Sequence, residues 1–458
     1  MQKLDVVVLA AGKGTRMNSS LPKVLHELAG RSLLHHVIAT TERLQPAQTV
    51  VVVGYEAQQV QKACAEERVA WVVQAQQLGT GHAVLQALPA LDSTHVTLVV
   101  YGDVPLITCE TLTAAWEAAK TGSVGLVTAE MGEPAELGRI QRNADGAVTA
   151  IVEFKDASDE VRAIREINSG ILAIPAGAIG PWLEKLNNDN AQGEYYLTDL
   201  IAMAVEDGVE VSAISADEWE VTGINDRVQL AQVERMYQHN SARALMQTGV
   251  TIADPERIDI RGTVTCGRDC YIDVNVVLVG DVTLGSGVRI GAGAVVTDAK
   301  IGDGSVVAPH TVVEGAVIAK GCSVGPFARI RPGSVLEDGV KVGNFVETKK
   351  AHLGPNTKAS HLAYLGDTHL GADCNIGAGT VTCNYDGISK HHTEIGDGVF
   401  VGTNSTLVAP VELEQGAFVA AGSVVTSKVE AGDLAVGRGK QRNIKGWTRP
   451  DKRHNQDN

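Results

Sequence analysis

The sequence predicts an α/β domain followed by a parallel β-solenoid, and two patterns lead to this prediction. In the first half, short apolar runs at 5–10, 49–53 and 96–100 alternate with helical stretches, which is typical of a parallel sheet covered by helices. In the second half, apolar residues recur every six positions between Ile260 and Val425. A period of six matches neither a helix nor a half-buried strand, but it matches a coil of short parallel strands.

The six-residue repeat is interrupted once in a way that predicts an inserted loop. Its first run stays in step through Ile260, Cys266, Ile272, Leu278, Leu284, Ile290 and Val296. After Ile376 the next positions should fall at Thr382 and near 388, yet the period restarts only at Ile395, which leaves about seven extra residues. Insertions in solenoids form loops, often on the binding face, so the sequence predicts a loop over 383–392.

Length and charge limit the organisation and the partners. A chain of 458 residues is too long for one compact core. The expected boundaries are 1–226 for the α/β domain, 227–249 for a linker helix, 250–437 for the solenoid and 438–458 for a basic tail. The net charge of −15 argues against nucleic acid and against a membrane surface as partners. No apolar stretch approaches the roughly 20 residues of a membrane span, so a cytoplasmic location is expected.

The first chemical motif follows the first predicted strand. Leu9, Ala10 and Ala11 lead into Gly12 and Gly14, and Arg16, Pro22 and Lys23 follow. Glycines let backbone N–H groups approach phosphates, and the two basic side chains supply the charge that a triphosphate needs. Two glycines alone could equally form an ordinary strand-to-helix turn. The longer pattern, however, resembles the sugar-nucleotide pyrophosphorylases, and this resemblance makes Arg16 and Lys23 candidate catalytic residues.

The resemblance implies a site for UTP, a sugar phosphate and Mg²⁺. Asp103 and Asn225 match the two residues that hold magnesium in that family. Taken alone, Asp103 could be a turn residue, and Asn225 could cap the linker helix. The resemblance assigns the base, phosphate and sugar contacts to the nucleotide motif, to Lys23, Asp103 and Asn225, and to Gln74, Gly79, Thr80, Tyr101, Gly102, Gly138, Glu153 and Asn168.

A second motif set lies around the interruption of the repeat. His361, the loop residues Asn384 and Tyr385, and the polar residues Arg331, Lys349, Tyr364, Asn375 and Lys390 make the chain resemble the bacterial bifunctional enzymes that acetylate glucosamine-1-phosphate and then uridylylate it. The resemblance makes His361 the general base, since imidazole suits proton transfer near neutral pH. The other five residues would then bind the sugar phosphate. On sequence alone, His361 could be a satisfied corner residue.

The same resemblance extends to acetyl-CoA and to assembly. It assigns acetyl-CoA binding to Ala378, Asn384, Tyr385, Thr403, Ala421 and Arg438, with Asn384 placed to orient the amine. It also implies a left-handed coil and a homotrimer. The tail would reach a neighbouring subunit through the basic residues Lys440, Arg442, Lys445, Arg449, Lys452 and Arg453.

The predicted function is therefore acetyl transfer to glucosamine-1-phosphate, followed by uridylyl transfer from UTP to give UDP-N-acetylglucosamine. Two alternatives are a single-activity nucleotidyltransferase whose solenoid serves only assembly, and an inactive scaffold. His361 and the interrupted loop argue against the first alternative. The joint presence of Arg16, Lys23, Asp103 and Asn225 argues against the second.

Overall fold

The computed structural model describes residues 3–449, and the chain divides into two compact units, Met1–Ser241 and Ala242–Asn458. In the part of the chain that is described, no helix combines the length and the apolar character that a bilayer crossing requires. The predicted fold class, an α/β domain followed by a β-solenoid, is confirmed.

The first unit alternates strands and helices. Its helices are α1 Leu33–Glu42, α2 Ala57–Ala63, α3 Thr80–Ala87, α4 Cys109–Lys120, α5 Asp159–Arg162, α6 Ile179–Lys185, α7 Asp199–Glu206 and α8 Arg227–Gln247, the last of which continues into the second unit. Its strands are β1 Leu4–Ala10, β2 Glu27–Leu28, β3 Arg31–Ser32, β4 Gln48–Val53, β5 Ala70–Val73, β6 Val96–Tyr101, β7 Val124–Glu130, β8 Arg139–Arg142, β9 Val148–Val152, β10 Glu166–Ile174 and β11 Val211–Ser215.

The main sheet of this unit has the order β11-β7-β10-β6-β1-β4-β5, and β8 and β9 extend it beside β10. All seven residues of β1 are buried, as expected for a strand with helices on both faces. The expectation of a wholly parallel sheet is wrong at β10, which runs antiparallel to β6 and β7. The strands β1, β4, β5 and β6 are parallel, so their carboxyl ends meet at one edge.

The start of α8 explains how Asn225 remains available. Asp226 Oδ1 accepts hydrogen bonds from the backbone N–H groups of Val228 and Gln229, at 2.9 and 2.8 Å. This is helix capping, and it satisfies donors that have no partner within the helix. The helix is therefore capped by Asp226, and the side chain of Asn225 points to a different partner, described below.

The second unit is a stack of short parallel strands. In chain order they are β12 Thr251–Ile252, β13 Ile258–Cys266, β14 Tyr271–Ile272, β15 Val276–Leu284, β16 Arg289–Ile290, β17 Val295–Thr297, β18 Lys300–Ile301, β19 Val306–Val307, β20 Val312–Glu314, β21 Val317–Ile318, β22 Ser323–Val324, β23 Arg329–Ile330, β24 Val335–Leu336, β25 Lys341–Asn344, β26 Glu347–Leu353, β27 Lys358–His361, β28 Tyr364–Leu370, β29 Asn375–Ile376, β30 Val381–Cys383, β31 Thr393–Ile395, β32 Phe400–Val401, β33 Thr406–Val408, β34 Val411–Leu413, β35 Phe418–Val419, β36 Val424–Val425 and β37 Leu434–Ala435.

The pairing of these strands shows that about three six-residue repeats make one coil. Ile272 pairs with Ile290, 18 positions later, and Ile290 pairs with Val307, 17 positions later. Equivalent positions of the repeat therefore stack in successive coils. All three side chains are fully buried. Cys266 differs from its neighbours in the repeat because it is only half-buried. The coils pack so closely that a Cβ atom added to Gly302 would lie 2.7 Å from the carbonyl carbon of Ala319, which explains glycine at such corners.

The predicted interruption forms a loop between β30 and β31. Thr368 of one coil pairs with Thr393 of the next, 25 positions later, whereas Asn344 and His361 pair across only 17. Tyr385 and Lys390 form an antiparallel bridge inside the loop. The extra residues therefore extend outward, and the strands on either side keep the stacking of the solenoid.

Candidate functional site

The first unit contains a cavity of about 280 Å³ at the carboxyl ends of β1, β5 and β6. The predicted residues Lys23, Gln74 and Asp103 are among those that line it. The remaining lining residues are Leu9, Ala10, Ala11, Gly12, Val24, Gln77, Gly79, Thr80, Ala83, Tyr101 and Glu194. Residues from five separate chain segments thus converge on the edge where open α/β sheets bind ligands.

A lysine, a carboxylate and an amide meet at this edge. Lys23 Nζ donates a short hydrogen bond to Asp103 Oδ2 and another, 3.2 Å long, to Asn225 Oδ1. Lys23 and Asp103 are only 13% and 17% exposed, so little water screens their attraction. The backbone N–H of Ile224 also donates to the Asp103 carbonyl oxygen at 3.0 Å, which fixes Asn225 beside the carboxylate.

This arrangement fits a divalent cation of the magnesium type. The ammonium group of Lys23 already lies between a carboxylate oxygen and an amide oxygen, which are the kinds of ligand that Mg²⁺ prefers. Asp103 and Asn225 are therefore the residues that would hold the ion. Its positive charge would offset the negative charge of nucleotide phosphates.

Glycine is required at two of the predicted nucleotide-binding positions, Gly14 and Gly79. Gly14 has a φ of +60°, and a Cβ atom there would lie 2.5 Å from Lys23 Cβ. Gly79 has a φ of +115°, and its Cβ would lie 2.6 Å from the Tyr195 carbonyl oxygen. Arg16 lies in the short 3₁₀ helix Thr15–Met17, is exposed, and is outside the lining of the cavity.

Gln74 is buried and held in place by its neighbours. Its Nε2 donates to the Gly79 carbonyl oxygen at 3.1 Å and to His82 Nδ1 at 3.0 Å. Gln77 Nε2 donates in turn to the Gln74 carbonyl oxygen at 3.1 Å. Sequence reasoning did not select His82. Its position near the start of α3, within eight residues of Gln74, was the available signal.

The predicted sugar-binding residues also come together. The backbone N–H of Asn168 donates to the Gly138 carbonyl oxygen at 2.9 Å, and a Cβ atom on Gly138 would lie 3.6 Å from the Glu153 carboxyl group. Thr198 Oγ1 donates to Glu153 Oε1 at 3.0 Å. Burial raises the pKa of the Glu153 carboxyl, and the bond from Thr198 partly opposes this shift.

Tyr101 lines the cavity and lies close to Glu153, one of the predicted sugar-binding residues. A Cβ atom on Gly170 would lie 2.5 Å from the Tyr101 ring, so the ring packs directly on that glycine. Burial raises the pKa of the Tyr101 phenol, and the nearby carboxylates of Glu153 and Asp103 raise it further. The phenol therefore stays protonated and can donate a hydrogen bond. Gly102 follows on the same strand end, where its backbone N–H donates to the Leu9 carbonyl oxygen at 2.9 Å.

In the second unit, His361 lies at a corner of the solenoid with one partner. Its Nδ1 is 2.8 Å from Asn344 Oδ1, across the register between β25 and β27. The amide oxygen is an acceptor, so Nδ1 is assigned the hydrogen and Nε2 keeps its lone pair. The imidazole is exposed and can accept a proton at Nε2. Sequence reasoning missed Asn344, although it lies one coil before His361.

Four of the proposed acetyl-CoA residues, Ala378, Thr403, Ala421 and Arg438, occupy the same corner on later coils. A Cβ atom on Gly377 would lie 2.6 Å from the Thr403 nitrogen, and one on Gly402 would lie 2.5 Å from the Ala421 nitrogen. Ala378, Thr403 and Ala421 are therefore stacked above one another. Arg438 follows on the next coil, with its Cδ 3.9 Å from a Cβ atom built on Gly422.

Cationic side chains lie on the face beside this corner. Arg331 Nη1 donates to Glu347 Oε1 at 2.7 Å. Lys349 lowers the pKa of the Lys390 amine through a side-chain contact and through charge repulsion. Two adjacent ammonium groups repel each other unless an anion lies between them, so the pair suits a phosphate. Asn375 is on the neighbouring face, in strand β29.

Asn384 and Tyr364 complete this region. Asn384 is buried, and its Nδ2 donates a short hydrogen bond to Asp367 Oδ2. A Cβ atom on Gly366 would lie 2.4 Å from the Tyr364 hydroxyl and 2.8 Å from Asn384 Nδ2, so these groups meet over the glycine. Asp367 is another residue that sequence reasoning missed, because its partner is 17 positions away.

Inside the loop, Asp386 organises the backbone. Its carboxylate accepts from the N–H groups of Ile388 and Ser389 and from His391 Nε2, which lies 2.7 Å away. The His391 hydrogen bond is the largest cause that lowers the pKa of Asp386. Tyr385 is 59% exposed and donates to the Gly387 carbonyl oxygen at 2.6 Å. The predicted tail residues Lys452 and Arg453 lie outside the described residues.

These two sites define a class of protein: a nucleotidyltransferase domain joined to a hexapeptide-repeat transferase. Three family profiles agree with this division. Residues 6–252 match the MobA-like NTP transferase domain, 258–364 the GMPPB C-terminal domain, and 393–427 the hexapeptide repeat of succinyl-transferase.

Curated relatives extend the match over almost the whole chain. The bifunctional GlmU protein of Alkalilimnicola ehrlichii is 54% identical over 99% of this chain and 98% of its own length. That of Stutzerimonas stutzeri is 55% identical over 98% and 100%, and that of Cupriavidus pinatubonensis 51% over 99% and 100%. The chain therefore belongs to the family of bifunctional GlmU proteins. The predicted function is confirmed: the chain is a bifunctional enzyme with a nucleotidyltransferase and an acetyltransferase activity.

Proposed function

We propose that the first unit transfers a uridylyl group from UTP to N-acetylglucosamine-1-phosphate. The sugar-phosphate oxygen attacks the α-phosphorus, the bond to the β-phosphate breaks, and pyrophosphate leaves. The observation that supports this most directly is the meeting of Lys23, Asp103 and Asn225 at the rim of the cavity. Such a reaction needs positioning and charge neutralisation more than covalent chemistry by the protein.

The individual roles in this proposal are those that the family resemblance implies. Lys23 and Arg16 contribute positive charge to the phosphates, and Asp103 and Asn225 hold Mg²⁺. Gln74, Gly79 and Thr80 contact the base, while Gly138, Glu153 and Asn168 contact the acetylated sugar. Residues 9–14 and Tyr101–Asp103 border the nucleotide.

We propose that the second unit acetylates glucosamine-1-phosphate with acetyl-CoA. His361 Nε2 takes a proton from the sugar amine, the nitrogen attacks the thioester carbonyl, the C–S bond breaks, and the thiol leaves with a proton. The Asn344 hydrogen bond supports this role because it leaves Nε2 as the basic nitrogen. Arg331, Lys349, Tyr364, Asn375 and Lys390 bind the sugar phosphate. Ala378, Asn384, Tyr385, Thr403, Ala421 and Arg438 bind acetyl-CoA.

We propose that acetyl transfer comes first and that the functional boundaries are 1–226, 227–249, 250–437 and 438–458.

We also propose that the enzyme is a cytoplasmic homotrimer. Support for self-association comes from an exposed apolar row on the solenoid: Phe400, Phe418 and Leu434 stack in register and are 39%, 43% and 62% exposed. Light scattering of the purified full chain should give three times the monomer mass. A monomeric mass would contradict this proposal.

A component-omission assay tests both reactions. The full chain is incubated with glucosamine-1-phosphate, acetyl-CoA, UTP and Mg²⁺, each component is left out in turn, and products are identified by mass spectrometry. Acetylated sugar phosphate should form without UTP, and UDP-N-acetylglucosamine only in the complete mixture. If supplied N-acetylglucosamine-1-phosphate is uridylylated but no acetyl transfer occurs, the assignment of His361 is wrong.

A further inference from the structure

A histidine–glutamate cluster lies on the solenoid, and none of its members is assigned a role in either reaction. It consists of Glu337, His352, His369, His392 and Glu394. His352 on β26 and His369 on β28 are directly paired across the parallel register. In both strands the chain passes a corner residue with positive φ, Lys350 at +46° and Asp367 at +46°, before it reaches the histidine. The two imidazoles therefore lie on the face that follows the one carrying Lys349 and Tyr364.

The two paired rings are close, and each is held from behind by a carboxylate. Their centroids are 4.8 Å apart, with an angle of 59° between the planes. His352 Nε2 lies 2.6 Å from Glu337 Oε1, and His369 Nδ1 lies 2.6 Å from Glu394 Oε1. Each carboxylate accepts the ring N–H, so the opposite nitrogens, Nδ1 of His352 and Nε2 of His369, are left as lone-pair donors. A metal-bound histidine has the same carboxylate partner on its second nitrogen.

We propose that His352 and His369 together bind one divalent transition-metal ion of the Zn²⁺, Ni²⁺ or Cu²⁺ class. Imidazole nitrogen suits these ions, whereas Mg²⁺ requires oxygen ligands. Among residues 3–449, no three histidine, cysteine or carboxylate side chains are arranged to hold a metal. The site is therefore a two-histidine chelate completed by water. The rings are 39% and 43% exposed, which leaves room for water ligands.

Glu394 also connects the site to the third histidine. Its second oxygen, Oε2, lies 3.1 Å from His392 Nε2, so this carboxylate is held between His369 and His392. Glu337 and Glu394 are positioning residues because they act through the imidazoles and do not touch the ion. Removing such partners typically weakens metal binding by about 10-fold to 100-fold.

Calorimetric titration of Zn²⁺ into the untagged full chain, in magnesium-free buffer, tests the proposal. The wild type should bind one more equivalent per chain than either His352→Gln or His369→Gln. His310→Gln is the matched control: this histidine is also exposed, but it stacks on Phe327 rather than on another histidine, and its variant should bind like the wild type. Any Zn²⁺ that binds at the proposed magnesium site does so equally in all variants, so it does not affect the difference in stoichiometry between them.

Paramagnetic resonance of bound Cu²⁺ gives an independent count of ligand nitrogens. Two should be seen in the wild type, and this two-nitrogen signal should be lost in each single variant. Glu337→Gln and Glu394→Gln should keep two nitrogens but bind Zn²⁺ about tenfold more weakly. Equal Zn²⁺ binding by the wild type and by a chain that carries both His352→Gln and His369→Gln would overturn the proposal, with both catalytic activities as the check that this chain is folded.

Discussion

The two units differ in how far apart along the chain the residues of each site lie. In the first unit, Lys23 bonds to Asp103, 80 positions away, and to Asn225, 202 positions away. In the solenoid, His361 bonds to Asn344, 17 positions away, and Asn384 bonds to Asp367 at the same separation. One coil therefore sets the partners in the solenoid, whereas a whole sheet must form before the first site exists.

The cores differ in the same way. Strand β1 buries seven consecutive residues, because helices cover both faces of the sheet. A solenoid strand such as β22 has one exposed residue, Ser323, and one buried residue, Val324. The first unit therefore depends on layers of helices, and the solenoid depends on the fit between successive coils.

The largest expected effect comes from His361→Ala, which should separate the two units functionally. Acetyl transfer should fall by about 100-fold or more, because the base that receives the amine proton is lost. Uridylyl transfer from supplied N-acetylglucosamine-1-phosphate should be unchanged. Steady-state assays of each half-reaction provide the measurement. Equal loss of both activities in a folded variant would contradict the separation.

Asp103→Ala should give the reverse result. Uridylyl transfer should fall by about 100-fold, since the carboxylate proposed to hold Mg²⁺ is removed and Lys23 loses its ion pair. Acetyl transfer should continue at the wild-type rate, measured as thiol release from acetyl-CoA. A parallel titration with Mn²⁺ should show weaker ion binding. Unchanged ion binding would remove Asp103 from the metal site.

Asn344→Ala should have a smaller effect than His361→Ala. One hydrogen bond worth about 1 kcal/mol is lost, so kcat for acetyl transfer should fall by about fivefold. The KM for acetyl-CoA should not change, because Asn344 acts through the orientation of His361. A change confined to KM would show that Asn344 contacts the coenzyme instead.

The last prediction concerns stability rather than activity and tests the fit between coils. Gly302→Ala should destabilise the solenoid by about 1–3 kcal/mol, because the added methyl group would press on the backbone at Ala319. Hydrogen exchange of peptides from 242–449 should speed up, while exchange in 3–241 should not. Gly132→Ala is the control, since a Cβ atom there meets nothing within 4 Å and its φ is not positive. Faster exchange in both variants would argue against the packing explanation.

Periodicity predicted the solenoid and its interruption well because the same contact recurs in every coil. It located the loop over 383–392 and the burial of Ile272, Ile290 and Val324. It also could have identified Asn344, if the residue one coil before His361 had been considered. The repeat could not predict that Cys266 is partly exposed, because the pattern records only that the residue is apolar.

The first unit was harder to predict because its partners are far apart in sequence. The motif around Gly12 pointed to the sheet edge where the cavity lies, but the antiparallel direction of β10 depends on how the chain returns to the sheet. The capping of α8 by Asp226 rather than Asn225 depends on which of two adjacent side chains faces the helix N–H groups. His82 could be found only once Gln74 was known to point inward.

The common corner of His361, Ala378, Thr403 and Ala421 has a consequence for ligand length. Each coil advances by one strand spacing of about 4.8 Å, so the distance along the corner is counted in whole coils. From His361 to the coil of Arg438 there are four steps, or about 19 Å. The number of coils therefore sets the length of the corner, and a coenzyme that reaches both ends has to lie extended along it. Insertion of one complete coil between Ala378 and Arg438 would lengthen the corner by one strand spacing without disturbing the stacking.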